Sequence, residues 1–284
     1  TGTTRSTAPF TCATPTIVPP VLNEDDRVEP PRGDSGEDRP DIRGRRRSWV
    51  RREKGGFWVG AAAAIFYPLA RLVGRGRYVG GEYIPRTGAA LLVANHISYL
   101  DPVFSALLVH KNGRVPRFLA KHSLWNAPVL GRIMRGTGQI PVLRDTADAR
   151  RSLSEATAAL RQGKVVVIYP EGTITRDPDG WPMQARTGAA RLALTVDVPV
   201  VPVAHWGTRE VYDHYAKRFR PLPRTTISVV AGPPIDLSRY RGRPIDAELL
   251  KEVTEVIMSR VRELVAEVRG EPAPTTFYRP EAAS

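Results

Sequence analysis

An α/β fold is predicted for this 284-residue chain: a single domain with a mixed, mostly parallel sheet flanked by helices, preceded by an N-terminal helical segment and a disordered tail. Three observations carry the prediction. From Arg77 onward, short apolar or β-branched runs alternate with helical periodicities, the pattern of a layered α/β domain. The run "KVVVIYP" is apolar almost throughout, as a strand covered on both faces has to be. The C-terminal "DAELLKEVTEVIMSRVRELVAEVRG" repeats apolar residues at three- and four-residue steps, an amphipathic helix that needs a sheet to pack on.

The expected strands are Arg77–Val79, Ala89–Ala94, Arg117–Ala120, Gln139–Val142, Val165–Tyr169, Val200–Ala204 and Thr225–Ala231, each bounded by Gly, Pro or charge. The helices between them are Pro102–His110, Ala147–Gln162 and Thr187–Val196. Thr146 is placed to cap the second of these and Gly163 to stop it. In the last helix Leu249, Val253, Val256, Ile257, Val261, Leu264, Val265 and Val268 form the apolar stripe, and Gly270 closes it. The organisation is a disordered tail over 1–47 with a basic run from 43, a helical segment over 48–76, the α/β domain over 77–270 and a C-terminal tail over 271–284. Residues 1–47 are rich in Thr, Pro and acidic side chains, and their few apolar residues show no period.

Net charge is +13 and is unevenly spread. Residues 1–40 hold seven acidic and four basic side chains. Then "DIRGRRRSWVRREK" places Arg43, Arg45, Arg46, Arg47, Arg51, Arg52 and Lys54 within fourteen residues. Such a run attracts polyanions, or it is a solvated linker. It leads into "GGFWVGAAAAIFYPLARLVGRG", sixteen uncharged residues from Gly55 to Ala70 followed by more arginine. A spanning helix needs about twenty apolar residues, and Pro68 would kink this one. On a helix, Phe57, Ala61, Ile65, Leu69 and Leu72 share a face. Two readings fit. One is a helix lying in a membrane interface, with Trp49 and Trp58 at headgroup level. The other is a core helix capping the domain.

Cys12 is the single cysteine, so neither an internal disulfide nor a cysteine-based metal cluster is available. The N-terminal stretch lacks the basic start and apolar core of a secretory signal, which makes exposure to the cytoplasm the default expectation.

The chemistry gathers in "AALLVANHISYLDPVFSALL", where Asn95, His96, Ser98 and Asp101 interrupt two apolar segments. A strand ends at Ala94, and Asp101-Pro102 suits the cap and first turn of a helix, so the polar residues form a strand-to-helix turn. Strand-end crevices are where open α/β sheets bind ligands. A carboxylate beside an imidazole fixes its tautomer and makes it a general base; the same pair can also serve only as a cap. No Gly-x-Ser-x-Gly nucleophile signature is present, so the base is expected to activate an external hydroxyl. No His-Glu-x-x-His zinc spacing is present either. Three more segments follow. "VVVIYPEGTITRD" sets Glu171, Gly172 and Thr173 after a buried strand, as a binding turn or an ordinary one. "GTGQIPVLRD" puts Arg144 at a strand end, where a guanidinium suits a phosphate or a surface ion pair. "VPVVPVAHWG" carries Pro199 and Pro202, which suggest an edge or irregular strand that serves as wall.

In this order "NHISYLD", "GQIPVLR", "YPEGT" and "VPVVPV" resemble the four blocks of the glycerophospholipid acyltransferase (PlsC-like) family, across roughly Arg77 to Gly207. The resemblance implies that residues 77–270 are an acyltransferase domain. It would move a fatty acyl group from acyl-CoA or acyl carrier protein to the hydroxyl of 1-acyl-sn-glycerol-3-phosphate, with no cofactor. It implies His96 as the general base, Asp101 as the group that orients it, and Arg144, Glu171, Gly172 and Thr173 as the headgroup site. Many members carry arginine directly after Glu-Gly-Thr; here that position is Ile174, with Arg176 two residues on. Lys121 and Arg186 are further candidate phosphate contacts. The expected partners are a lysophospholipid acceptor, the acyl donor and an anionic membrane surface. The enzyme would sit on the cytoplasmic face as a peripheral or monotopic protein. Another lysophospholipid or a glycolipid is the alternative acceptor. A thioesterase-like hydrolase and a non-catalytic basic membrane-binding protein are the rival classes. Nucleic acid is disfavoured, because no zinc-finger spacing or RNA-binding aromatic signature occurs.

Overall fold

The computed structural model describes residue 53, residues 55–142 and residues 146–280. The 1–47 tail, the basic run apart from Glu53, Cys12, Trp49 and Arg144 lie outside the described residues. Helix α1 (Gly56–Val73) runs directly into strand β1 (Gly74–Val79). There follow β2 (Ala90–Ala94), α2 (Asp101–Lys111), β3 (Pro116–Lys121), α3 (Pro128–Gly136), β4 (Ile140–Val142), α4 (Thr146–Arg161) and β5 (Val165–Ile168). The chain continues through α5 (Gly188–Thr195), β6 (Val200–Trp206), α6 (Thr208–Val211), the short pair β7 (Tyr212–Asp213) and β8 (Arg218–Phe219), β9 (Thr225–Ala231) and α7 (Ala247–Arg269). The main sheet has the order β1-β9-β6-β2-β5-β3-β4. Every neighbouring pair is parallel except β6 with β9. The predicted architecture, a mixed and mostly parallel sheet with helices on both faces, is the one observed.

The alternation of strand side chains builds two cores. Leu91, Val93, Val166, Ile168 and Val200 face one side, where α4, α5 and α7 contribute Leu160, Leu192, Val253, Ile257 and Val261. Leu92, Ala94, Val165, Val167 and Val203 face the other, against Phe104 and Leu108 of α2 and Ala70 and Val73 of α1. Burial on both faces explains why β5 is apolar at every position. Asp246 caps α7 by accepting the Leu249 N–H at 2.8 Å, and Gly270 ends it at φ 69°.

Strand β6 corrects the reading of "VPVVPV" as an edge: it lies inside the sheet between β9 and β2. Pro202 is tolerated because its main chain faces the place where the β9 ladder has ended. Pairing with β9 starts at Val203, and the Pro202 carbonyl takes the Gly232 N–H at 2.9 Å. Helix α3, unforeseen in the sequence, has only nine residues, opens on Pro128 and contains Gly131, so it offers little periodic signal.

Helix α1 shows its predicted apolar stripe to solvent: Phe57 is 78 % and Leu72 69 % exposed, and Ile65 and Leu69 are exposed with them. Its other side packs on the domain. Trp58 lies over Gly136 of α3, where a Cβ would come within 2.1 Å of the indole. The Tyr67 hydroxyl meets His110 Nδ1 at 2.8 Å, and Ala70 and Val73 are buried. The stripe therefore does not serve the core. The helix is also longer than its uncharged run, because it continues through Arg71 to 18 residues, enough to cross a bilayer by length and composition.

Both ends of α1 are pinned. The Glu53 N–H donates to Gly113 O at 3.0 Å. The Glu53 carboxylate accepts from Lys164 Nζ at 3.0 Å, Val115 N at 3.1 Å and Arg114 Nε at 3.3 Å. Arg114 is buried and also donates to Pro85 O, Gly88 O and Gly163 O, so this cluster closes the bottom of the sheet. Burial pushes the Glu53 carboxyl up, but the Lys164 and Val115 bonds and the Lys164 charge outweigh it and hold it below the ordinary 4.5. Glu53→Gln is expected to lower stability by about 1–3 kcal/mol at pH 7, the range for a hydrogen bond to a buried charge. Because the folded-state pKa is lowered, that stabilisation exists above the unfolded value and fades as pH falls through the folded one. The difference in denaturation midpoint between the two proteins should thus shrink from pH 7 to below 4.5.

Candidate active site

The parallel strands deliver their C-terminal ends to one edge of the sheet, and the site is built there. From β2 the chain turns through Asn95–Leu100 into α2. Asn95 staples this turn to β6: its Nδ2 donates to His205 O at 3.1 Å and its Oδ1 accepts the His205 N–H at 2.7 Å. Ser98 Oγ donates to Tyr212 O at 2.8 Å. Asp101 is fully buried at the first position of α2. It does not cap the helix, as the sequence suggested. Its carboxylate turns back, and Oδ2 accepts the N–H groups of Ile97 at 2.7 Å and Ser98 at 2.9 Å together with His96 Nδ1 at 2.9 Å. Oδ1 accepts from Thr208 Oγ1 at 2.5 Å. Burial pushes the Asp101 carboxyl up, but the His96 hydrogen bond, the electrostatic influence of the nearby His205 and His96 rings and the Thr208 bond outweigh it and hold it below the usual range.

An ionised acceptor at Nδ1 places the imidazole proton there and leaves Nε2 as a lone pair. The His96 side chain is 12 % exposed, and its ring stacks on Tyr169 with centroids 4.4 Å apart at 25°. The Tyr169 hydroxyl bonds Ser105 Oγ at 3.0 Å, and Ser105 Oγ bonds His205 Nε2 at 2.7 Å. Burial, reinforced by the Asp101 charge, raises Tyr169 well above the usual phenol range, so it stays neutral. Burial brings His205 down to about 4. His96 thus rests on a buried, uncharged network and carries an oriented base on its open side.

Glu171, expected at the headgroup, lies under the turn. It is buried, Oε1 accepts the His96 N–H at 2.8 Å and Oε2 accepts the Met183 N–H at 3.1 Å. Thr175 N adds a bond to His96 O at 2.7 Å, so the loop after β5 holds both main-chain groups of the histidine. Gly172 has φ 74°, a left-handed conformation that suits glycine, and Arg186 lies across it. A Cβ at 172 would sit 3.1 Å from Arg186 Nε. Thr173 is half-buried, Ile174 is buried, and Arg176 and Arg186 are exposed. Lys121 is exposed at the end of β3 on the same edge. Only β5 separates that strand from β2, a distance of about 10 Å at the usual strand spacing. Arg144 lies outside the described residues.

The residues that sequence reasoning missed are Tyr169, Ser105, His205 and Thr208. His205 lies in the strand read as wall, and Thr208 just beyond it. They reach the site because β6 lies beside β2, with Ala94 opposite Val203. Tyr169 carried a usable signal, since it directly precedes Pro170-Glu171-Gly172-Thr173.

A carboxylate-oriented histidine, a glycine turn and exposed cations gather on one strand-end edge, the parts that base-assisted chemistry on an anionic substrate would need. Residues 75–206 match the acyltransferase family. The chain is 31 % identical over 193 residues to mouse 1-acyl-sn-glycerol-3-phosphate acyltransferase alpha, covering 67 % of this chain and 65 % of that one. It is 29 % identical over 140 residues to the 1-acyl-sn-glycerol-3-phosphate acyltransferase of Borreliella burgdorferi, covering 47 % of this chain and 52 % of that one. Among solved structures it is similar to the 1-acyl-sn-glycerophosphate acyltransferase PlsC of Thermotoga maritima, with a TM-score of 0.53, 26 % identity, and coverage of 78 % of this chain and 86 % of that one. The chain spans about half the length of the curated relatives it matches first. Residues 75–206 of its α/β domain thus match an acyltransferase domain, and the chain is similar in sequence and fold to 1-acyl-sn-glycerol-3-phosphate acyltransferases.

Two tests address how the base is held. Thr208→Val leaves Asp101 Oδ1 without its donor. Turnover is expected to fall about 10- to 100-fold with KM little changed, the kinetic equivalent of one bond to a buried charge. Glu171 provides the second. Burial raises its carboxyl to about 8, against the two N–H bonds that favour ionisation. Between the unfolded value of 4.5 and about 8 the folded state holds the extra proton, so this group makes stability fall as pH rises. In Glu171→Gln that slope should disappear, and thermal melting from pH 5 to 8 should show the variant gaining on the wild type with rising pH.

Proposed function

We propose that this domain transfers a fatty acyl group from acyl-CoA to the free hydroxyl of 1-acyl-sn-glycerol-3-phosphate, giving phosphatidic acid. The observation that carries the reading is the Asp101–His96 bond of 2.9 Å, which presents Nε2 outward as a base. In the proposed step His96 Nε2 takes the acceptor hydroxyl proton as its oxygen attacks the thioester carbonyl. The tetrahedral adduct then collapses, the carbon–sulfur bond breaks, and the thiolate receives the proton from Nε2. A free thiol has a pKa of about 8.5, so the leaving group needs little help, and the weak alcohol nucleophile is where the base contributes. The serines argue for direct transfer with no acyl-enzyme: Ser98 is bonded to Tyr212 O, and Ser105 is enclosed between Tyr169 and His205. The reaction requires no metal or cofactor.

The acceptor phosphate is assigned to Lys121, Arg176 and Arg186 on the same edge, and to Arg144, with Gly172 and Thr173 forming the turn beneath it. Arg186, lying across Gly172, supplies the charge that Ile174 does not. Glu171 acts as a brace for His96, its oxygens being engaged by main-chain N–H groups. Ile174 in place of arginine favours a second reading, in which the acceptor is another lysophospholipid or a glycolipid. Acyl carrier protein is the alternative donor.

Helix α1 docks the domain on an anionic membrane. Pinned at Glu53 and at β1, it lies along the flank of the domain, which argues for a helix resting in one leaflet with its exposed stripe, not one that crosses. The site would then face the cytoplasm, where acyl-CoA is available.

The test is a lipid-product assay over a panel of acyl-CoAs and lyso-acceptors. Diacyl product from lysophosphatidic acid is expected, and His96→Ala should reduce it by about 10²–10⁴-fold with melting unchanged. Free fatty acid as the main product would overturn transfer in favour of hydrolysis, and activity in the variant close to wild type would remove His96 as the base.

A further inference from the structure

We propose that residues 215–222, beyond β7, form a second bilayer contact that docks on anionic lipid beside α1 and turns the mouth of the site toward the membrane. The proposal rests on the membrane reading of α1 given above, and it concerns a segment outside the four family-like blocks.

Strand register places this segment. Ala94 of β2 lies opposite Val203 of β6, and Trp206 at the end of β6 lies opposite Ser228 of the antiparallel β9. The start of β9 is therefore at the edge that carries His96. Strand β1 runs parallel to β9 with Gly74 opposite Thr225, so α1 also ends at that edge. The chain from Tyr212 to Arg224 spans the interval between the two. At one end Ser98 Oγ holds Tyr212 O at 2.8 Å, and the Tyr99 ring sits 4.5 Å from that of His214. At the other end Arg224 Nη2 donates to Arg71 O and, at 3.1 Å, to Gly74 O, which ties the segment to the last turn of α1.

Its surface is unusual for a solvated loop. In "YAKRFRPLPR" Phe219 is 58 % and Leu222 74 % exposed, alternating with Lys217, Arg218 and Arg220. None of these three cations is in an ion pair among the described residues. Exposed apolar side chains set among unpaired cations complement an anionic lipid surface, with the rings and branched chains entering the headgroup layer and the charges meeting phosphate. The outward stripe of α1 ends at Leu69 and Leu72, which flank in sequence the Arg71 carbonyl that Arg224 holds. One helix can roll about its own axis in an interface. A second contact tied to its end removes that freedom, and binding at both points is strengthened because the second event is intramolecular.

The test uses the full chain with sedimenting vesicles of phosphatidylcholine, with or without phosphatidylglycerol. Phe219→Ser with Leu222→Ser should lower vesicle affinity by about tenfold or more, given the apolar area withdrawn. Its activity on acceptor dispersed in detergent should stay within about twofold of wild type, as for surface changes elsewhere. Lys217→Glu with Arg220→Glu should lose binding on the anionic vesicles alone. Leu69→Ser with Leu72→Ser is the control on α1. If that control loses binding and the Phe219/Leu222 variant does not, the second contact is overturned, and the segment serves another partner. If the Phe219/Leu222 variant loses binding and the control does not, the segment is the contact and the reading of α1 fails. Equal losses of vesicle binding and detergent activity in the Phe219/Leu222 variant would also overturn the proposal, as would a wild type that ignores vesicles altogether.

Discussion

Asp101 is buried and its pKa is depressed, and a carboxylate inside a protein is tolerated only when donors surround it. Four donors do so here: two main-chain N–H groups of its own turn, the His96 ring and the Thr208 hydroxyl. That requirement shapes much of the site. The turn folds back over its own helix start to bring Ile97 and Ser98 within reach. Helix α6 starts where it does to supply Thr208. His96 cannot rotate without leaving the carboxylate short of a partner. The energy that holds the charge in place is the same energy that orients the base.

The sheet makes this arrangement stiff. Strands β2 and β6 are neighbours, and the reciprocal bonds of Asn95 with His205 lock their ends together. From the other side β5 delivers Tyr169 against the ring of His96 and Glu171 beneath its main chain. Arg269 completes the frame from α7, held between the rings of Trp181 and Trp206 at 4.0 and 4.2 Å and donating to Asp179 O. The loop that begins at Glu171 is thereby clamped to the end of β6. A histidine positioned by groups from several elements keeps its geometry, which the proposed transfer to a lipid hydroxyl requires.

The same topology ties chemistry to location. Because β1 pairs with β9 in parallel, the end of the exposed helix and the edge that bears the histidine are on one side of the sheet. On the proposed membrane reading of α1, an acceptor in a bilayer would meet His96 close to the docking surface. The long distance between Glu53 at one end of α1 and Gly74 at the other is bridged by a helix that leaves Phe57, Ile65, Leu69 and Leu72 exposed.

Much of this was legible in the chain itself. Local pattern determined the α/β class, the apolar central strands, the limits of α7 and the polar turn with His96 and Asp101, because alternation, helical period and capping residues act over a few positions. Composition marked the outward stripe of α1 but could not say which way it would face; packing of Trp58, Tyr67 and Ala70 decided that. The sequence also suggested Asp101 as a cap, β6 as an edge and Glu171 as a ligand contact. Tertiary structure turned the first carboxylate back toward its own turn, put β6 inside the sheet and engaged Glu171 with the main chain. Thr208, His205 and Tyr169 lie 107, 104 and 68 residues from Asp101, and no local pattern couples positions so far apart. What brings them together is strand order, and strand order is decided by burying the apolar faces of all the strands at once.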